Sequence, residues 1–228
     1  MGTPELWIVV GLSLKVAVVA MLVALPFSVA VAYVLARKRF RGWHLLNGLV
    51  HLPLVLPPVV TGYLLLVLFG RQGPLGGMLF DLFGITLAFR WTGAALAAGI
   101  MAFPLMVRAI RLGFEAVDQG LEQAAATLGA SRLRVFFTVT LPLVIPGVLA
   151  AGVLGFAKAL GEFGATITFV AAIPGETQTI PSAIYGLLQV PGQEGAVVTL
   201  VILSVVLAMG ALILSEWLAY RMTRKVGR

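Results

Sequence analysis

Long apolar runs without a charged residue constrain this chain more than any other feature. Residues 16–36, 45–69 and 196–215 contain no Asp, Glu, Lys or Arg. A helix needs about 20 apolar residues to cross the ~30 Å of hydrocarbon in a bilayer, and these runs have that length. Their apolar residues come in blocks, with neither the period of 2 of a half-buried strand nor the 3.6 stripe of a surface helix. Only 11% of the 228 residues are charged and 60% are hydrophobic, with a mean hydropathy of +1.05. A water-soluble domain of this size needs more charge on its surface. The fold class that follows is an all-α polytopic membrane protein.

Five transmembrane helices are expected, at about 8–35, 45–69, 92–112, 143–172 and 196–218. Basic residues orient them. Arg37, Lys38, Arg39 and Arg41 follow the first span, and Arg108, Arg111, Arg132 and Arg134 lie at or after the end of the third. Arg221, Arg224, Lys225 and Arg228 form the tail, whereas the alternate loops hold only Arg71 and Arg90, beside Asp81, Glu176 and Glu194. Lys and Arg are retained on the cytoplasmic side, so the N-terminus is placed outside and the C-terminus inside. This asymmetry accounts for the net charge of +7 without a nucleic-acid partner. The first run starts at Glu5 with no basic residue before Lys15, which reads as a retained span rather than a secretory signal. Residues 73–91, with Asp81 and Arg90, read as an outer loop. With no internal repeat or soluble domain, 1–228 reads as a single transmembrane domain.

One cytoplasmic loop, 113–142, departs from the pattern. Residues 122–142 read EQAAATLGASRLRVFFTVTLP. GLEQAAATL favours helix, and Gly129 is suited to the left-handed conformation that ends one. Ser131 is a good N-cap for a second short helix over RLRVFFTV, and Pro142 suits the first turn of the next span. Ala124 and Ala125 present little side chain, so another protein's surface has room to approach closely. By composition alone the pair fits either a docking element or an amphipathic surface element on lipid headgroups.

Chemistry is nearly absent. There is no cysteine, and His44 and His51 are the only histidines, so no thiolate or histidine-built metal site is expected. A phosphate-binding loop ends in Lys followed by Ser or Thr, and no lysine here has that neighbour. No catalytic residue is assigned, and energy for uphill transport has to come from a partner. Inside the spans, Lys158 and Glu162 are four apart and share a helical face. They mark either a translocation path or gate, or a neutralised structural pair beside a break at Gly161 and Gly164. A structural pair acting indirectly on gating is the preferred reading, because an exposed Glu162 repels an anion. Pro53, Pro57 and Pro58 bend the second span, which hydrocarbon tolerates only where protein or water satisfies the freed backbone. Thr61, Gly62 and Tyr63 beside that bend, and Thr166 beyond Glu162, complete the path candidates. IPSAIYGLLQVPG, near 180–192, reads as a short helix at the outer mouth or a capped loop.

The 122–142 stretch resembles the EAA loop of ABC-importer permeases, the binding-protein-dependent transport inner-membrane components. That motif runs E-A-A, three residues, G, nine residues, I-x-L-P. Gln123, Ala124 and Ala125 hold the triplet, Gly129 the glycine, Val139 the isoleucine place, and Leu141 and Pro142 the end. Gln123 stands where the motif has Glu, with Glu122 one position earlier. HLPLVLPPVVTGYLLL, FPLMVRAIRLGFEAVD, LGEFGATITFV and IPGETQTIPSAIY are similar to the molybdate permease subunit of oxyanion importers. The resemblance implies the type I ABC-importer permease fold in a bacterial inner membrane. It also implies a homodimer and two ATP-binding cassette ATPases that hold ATP and Mg and dock on the loop, with no cofactor on this chain. An extracytoplasmic molybdate-binding protein would deliver the anion, tungstate or sulfate being the neighbouring substrates. A path for a dianion is expected to lack strongly attractive fixed cations. A stand-alone carrier or channel is the rival class.

Overall fold

The computed structural model describes residues 3–226, and every regular element among them is helical. Helix α1 (Thr3–Arg37) is one 35-residue rod through Pro26. Ser13 and Ser28 turn their hydroxyls back to the carbonyls of Val9 and Ala24, so neither leaves a polar group unpaired in an apolar helix. Helix α5 (Trp91–Ala116) is the centre of the bundle, packed between α1 and α8 (Leu141–Leu160). Its inward positions are small: Ala94, Ala95, Ala97, Ala98, Gly99 and Ala102 are buried. Small residues let backbones approach where apolar lipid provides no driving force for helix association. A methyl group placed on Gly155 of α8 would lie 2.5 Å from Met106 Sδ of α5, so that contact has no spare room.

The second apolar segment is not the straight span that residues 45–69 lead one to expect. It is a pair, α2 (Trp43–Val55) and α3 (Pro58–Phe69), bent by 113°. Pro57 and Pro58 cannot donate N–H groups, and a residue before proline is driven to extended backbone. Leu56 (ψ 143°) and Pro57 (ψ 134°) adopt that conformation, whereas Pro53 stays inside α2 without breaking it. The loop after α3 contains another helix, α4 (Pro74–Phe83), with Pro74 in its first turn and Gly84 left-handed at φ 66° after its end.

The fourth segment also differs from expectation at both ends. After α6 (Gln119–Thr127), α7 (Arg132–Val135) runs through one π-helical turn, Phe136–Thr140, straight into α8. RLRVFFTV is therefore the start of a 29-residue rod, Arg132–Leu160, and not a separate short helix. Pro142 has no N–H to return to the preceding turn, and the chain passes it with a wider turn in which Leu141 N–H reaches Phe136 O. At the other end the apolar run 143–172 is interrupted. Helix α8 stops at Leu160, and α9 (Gly164–Val170) begins after three residues. Helix α10 (Ile180–Leu187) lies where a short outer helix was expected, tied to α1 by Ile180 N–H on Ser13 Oγ at 2.7 Å. Helix α11 (Glu194–Val226) packs on α8 and α10 and leaves Val198, Val201, Ile202, Val205 and Val206 exposed. Arg221, Arg224 and Lys225 fall on its last turns, and Arg228 lies outside the described residues. Among the described residues, four helices are long and apolar enough to span a membrane, and the bent pair makes five.

Gly155→Leu places a branched side chain against Met106 at the α5–α8 contact. Overpacking of this kind costs about 1–3 kcal/mol, and the variant is expected to melt several degrees below the parent in detergent.

Candidate coupling and translocation site

Helix α6 is capped at both ends by local chemistry. Asp118 Oδ1 accepts the N–H of Gly120 at 2.8 Å. Gly129 is left-handed at φ 85°, its N–H donates to Ala126 O, and Ala130 N–H donates to Ala125 O. Those two bonds are a Schellman motif, which only glycine enters without strain. Ser131 Oγ then accepts Arg134 N–H and starts the rod. The hinge between two helical elements is thus set by Gly129 and Ser131, as the residue pattern predicts.

The element presents an apolar surface. Leu128 is 89% exposed and Leu133 74%, with Leu121 and Phe137 also open. Gln123 and Ala124 are exposed, Ala125, Val139 and Leu141 are half-buried, and Pro142 is exposed. Glu122 behaves differently from its neighbours in the motif. Its Oε1 lies 2.9 Å from Arg37 Nη2 at the end of α1 and accepts the Thr140 hydroxyl at 2.7 Å. Arg37 also donates to Val117 O. One carboxylate therefore joins α6, the end of α1 and the π-helical turn. Nearby, Tyr33 packs edge-on against both Phe114 and Phe136, uniting α1, the end of α5 and the π-helical turn through aromatic contacts. Arg37 and Thr140 are 85 and 18 residues from Glu122, so no local spacing announces the contact.

At the far end of the rod, Lys158 Nζ sits 2.6 Å from Glu162 Oε2. The other oxygen, Oε1, accepts Ala165 N–H at 3.1 Å, capping the start of α9. Glu162 is 2% exposed, and both of its oxygens are engaged, so the carboxylate is not open to a ligand. The Thr166 hydroxyl is spent on Phe163 O at 2.8 Å. Thr61 and Gly62 are buried, while Tyr63 is 59% exposed on a different side of α3. A methyl on Gly62 would come within 2.5 Å of Ala165 O, and one on Gly164 within 2.7 Å of Pro58 Cβ. The two helix breaks, at 56–57 and at 161–163, therefore meet through glycine contacts. The bend at the prolines is legible in the sequence; its contact with the second break is not. His51 Nδ1 lies 2.8 Å from Asn47 O within its own helix.

The chain matches the family described as the binding-protein-dependent transport system inner membrane component over residues 24–224. It is 60% identical over 225 residues to the molybdenum transport system permease protein ModB of Escherichia coli strain K12, covering 99% of this chain and 98% of the relative. Its identity to ModB of Haemophilus influenzae is 58% over 219 residues, covering 96% of each chain. Among solved structures, it superposes on a chain of the inward-facing MetNI methionine ABC transporter with a TM-score of 0.76. That alignment covers 97% of this chain and 99% of the other at 15% sequence identity, a likeness of fold. With the family matched over most of its length and the fold reproduced, the chain belongs to the inner membrane components of binding-protein-dependent transport systems.

Proposed function

We propose that this chain is the membrane-spanning permease subunit of an ATP-driven importer that carries molybdate across the bacterial inner membrane. The observation that carries the proposal is the continuous rod Arg132–Leu160, which joins the hinged, apolar-surfaced α6 at one end to the paired helix breaks at the other. At 1.5 Å per residue, 29 residues span about 43 Å. The near-full-length identity to relatives named for molybdenum transport supports the choice of anion.

In this reading the N-terminus is outside, the C-terminus inside, and 1–228 is one permease domain. Two copies enclose one path, and each receives an ATP-binding cassette ATPase on its 113–142 loop. Gln123, Ala124, Ala125 and Gly129 provide the close approach, and Val139, Leu141 and Pro142 lead into the rod. ATP and Mg belong to the ATPases, and an extracytoplasmic binding protein supplies the anion. ATPase closure draws the two α6 elements together. The rod transmits that movement to the Lys158–Glu162 pair and the Pro58–Gly164 contact, opening the path outward. Glu162 and Thr166 act on the gate through α9, without touching the ion. Thr61, Gly62 and Tyr63 are assigned to the gate by their place on α3. Engagement of Lys158 by Glu162 leaves a passing dianion weakly held and hence releasable.

Three outcomes test these assignments. Gly129→Val forces a branched residue into a left-handed conformation that costs about 1–2 kcal/mol. Co-purification of untagged ATPase with tagged permease should fall, and uptake with it, by about tenfold; unchanged uptake removes the coupling role. Glu122→Gln deprives Arg37 of its carboxylate while leaving the outer surface of α6 intact. It should keep ATPase capture near normal yet lower uptake, because the lost contact lies on the inner side of the loop. Finally, ATP hydrolysis by the reconstituted complex with its binding protein should rise with molybdate above the level reached with sulfate, with tungstate as the close analogue. Equal stimulation by sulfate overturns the substrate, and uptake without any ATPase overturns the importer reading.

A further inference from the structure

We infer that the trough between α1 and α5 is a binding site for one anionic phospholipid, with its acyl chain along the groove and its phosphate on Lys15. The trough has a volume of about 510 Å³ and is lined from α1 by Val19, Val23, Phe27 and Val31 and from α5 by residues including Leu96 and Phe103. Val23 and Phe27 are 58% and 64% exposed, so the groove is open along its side. From Lys15 to Val31 the helix rises about 24 Å, so the trough starts just below the Lys15 level and runs past the middle of the ~30 Å hydrocarbon, room for the full acyl chain of a lipid held at Lys15.

The charge at the end of the trough identifies the occupant. Lys15 is one turn before Val19, and its ammonium lies 3.7 Å from the centre of the Trp91 ring, the residue that opens α5. Lys15 is exposed and has no carboxylate partner among the described residues. Its depth follows from the helices themselves. From Lys15 to the basic cluster at Arg37, α1 rises about 33 Å, and from Trp91 to Arg111, α5 rises about 30 Å. Each distance is about the hydrocarbon thickness. Lys15 and Trp91 therefore lie at the interface opposite the Arg37 cluster, where an amphipathic indole and a snorkelling lysine are favoured.

A phospholipid supplies both an apolar chain of leaflet length and an anion at that level. A second copy of this chain supplies only the first. Its longest exposed apolar faces, α2 with α3 and the middle of α11, come from runs 45–69 and 196–215, which contain no Asp or Glu, the nearest acidic residues being Asp81 on α4 and Glu194 at the start of α11. Packed on the trough, either face would bury Lys15 against hydrocarbon without a counter-charge, an unfavourable arrangement.

The test exposes the detergent-purified transporter complex to mixed micelles of equal phosphatidylglycerol and phosphatidylcholine and quantifies co-purified lipid by mass spectrometry. Because the basic cluster near Arg37 holds anionic lipid in every variant, the readout is the difference between variants. About 1 kcal/mol per basic residue near an anionic surface corresponds to roughly a fivefold preference. Lys15→Gln should remove that increment in the phosphatidylglycerol to phosphatidylcholine ratio, and Lys15→Arg should keep it. Val23→Trp fills the trough without touching Lys15 and should release bound lipid of both kinds. A wild-type ratio in Lys15→Gln, or undiminished lipid in Val23→Trp, overturns the site. So does a wild-type complex that retains no lipid attributable to the trough because a second copy covers it.

Discussion

Every backbone N–H and C=O in hydrocarbon needs a partner from the protein itself, and an unpaired one costs several kcal/mol. This chain obeys that constraint with helices almost throughout and leaves helix within its apolar segments at two places, 56–57 and 161–163. Those two places are in contact. Pro58 lies against Gly164, and Gly62 lies against Ala165, with no space for even a methyl group at either glycine. The breaks shield each other, and the second is capped by a carboxylate that is itself neutralised by Lys158. A junction built in this way has discrete packed arrangements rather than a continuum, the property a gate requires.

The rod from Arg132 to Leu160 gives the junction a handle. A helix carries displacement along its axis only if its foot is held, and the foot here is held by a charge. Glu122 accepts from Arg37 and Thr140 at once, so α6 is fastened to the end of α1 and to the π-helical turn as well as through the hinge at Gly129. The motif's usual acid is displaced by one position in this chain, and the structure turns the available carboxylate inward. The outward surface carries leucines, Phe137 and small residues, with Gln123, Arg132 and Arg134 among them. Shape and apolar contact suit a socket that must grip through a cycle, since exposed ion pairs contribute little.

What was legible in the sequence is what local chemistry decides. Spans α1, α5 and α11 lie close to the expected positions, because an uncharged apolar run of that length has few other conformations in lipid. The hinge at Gly129 and the cap at Ser131 were readable because each is completed within a few residues. The errors have a common cause. The break marked by Gly161 and Gly164 is where the residues place it, but hydropathy averaged over 143–172 runs one span through it and does not see that Glu162 caps its far side. Pro142 marked a helix start by propensity, yet the packed rod continues past it with a π-helical turn. Asp81 and Arg90 argue against a span over 73–91 and so toward a loop, although Pro74 and Gly84 bracket a regular short helix, α4. The Arg37–Glu122 and Pro58–Gly164 contacts join distant residues, and no periodicity encodes them.

Charge placement ties these parts together. A membrane protein that passes a dianion has to keep cations for structure without letting them trap the cargo. Arg37 pairs with Glu122 through Nη2 while its buried Nε has no partner, Lys158 pairs with Glu162, and Arg111 with Glu115 and Asn47. Lys15 rests on an aromatic ring, which favours its position without cancelling its charge. The engaged cations lie at the coupling loop, beside the α8–α9 break and at the end of α5, where a fixed geometry is needed. Lys15, one of several cations without a carboxylate partner among the described residues, lies beside an apolar trough, where, on the inference drawn above, attraction to a lipid phosphate does not compete with transport. In the proposed reading, release of the anion depends on neutralised side chains near the breaks, and anchoring in the bilayer draws on the charge at Lys15.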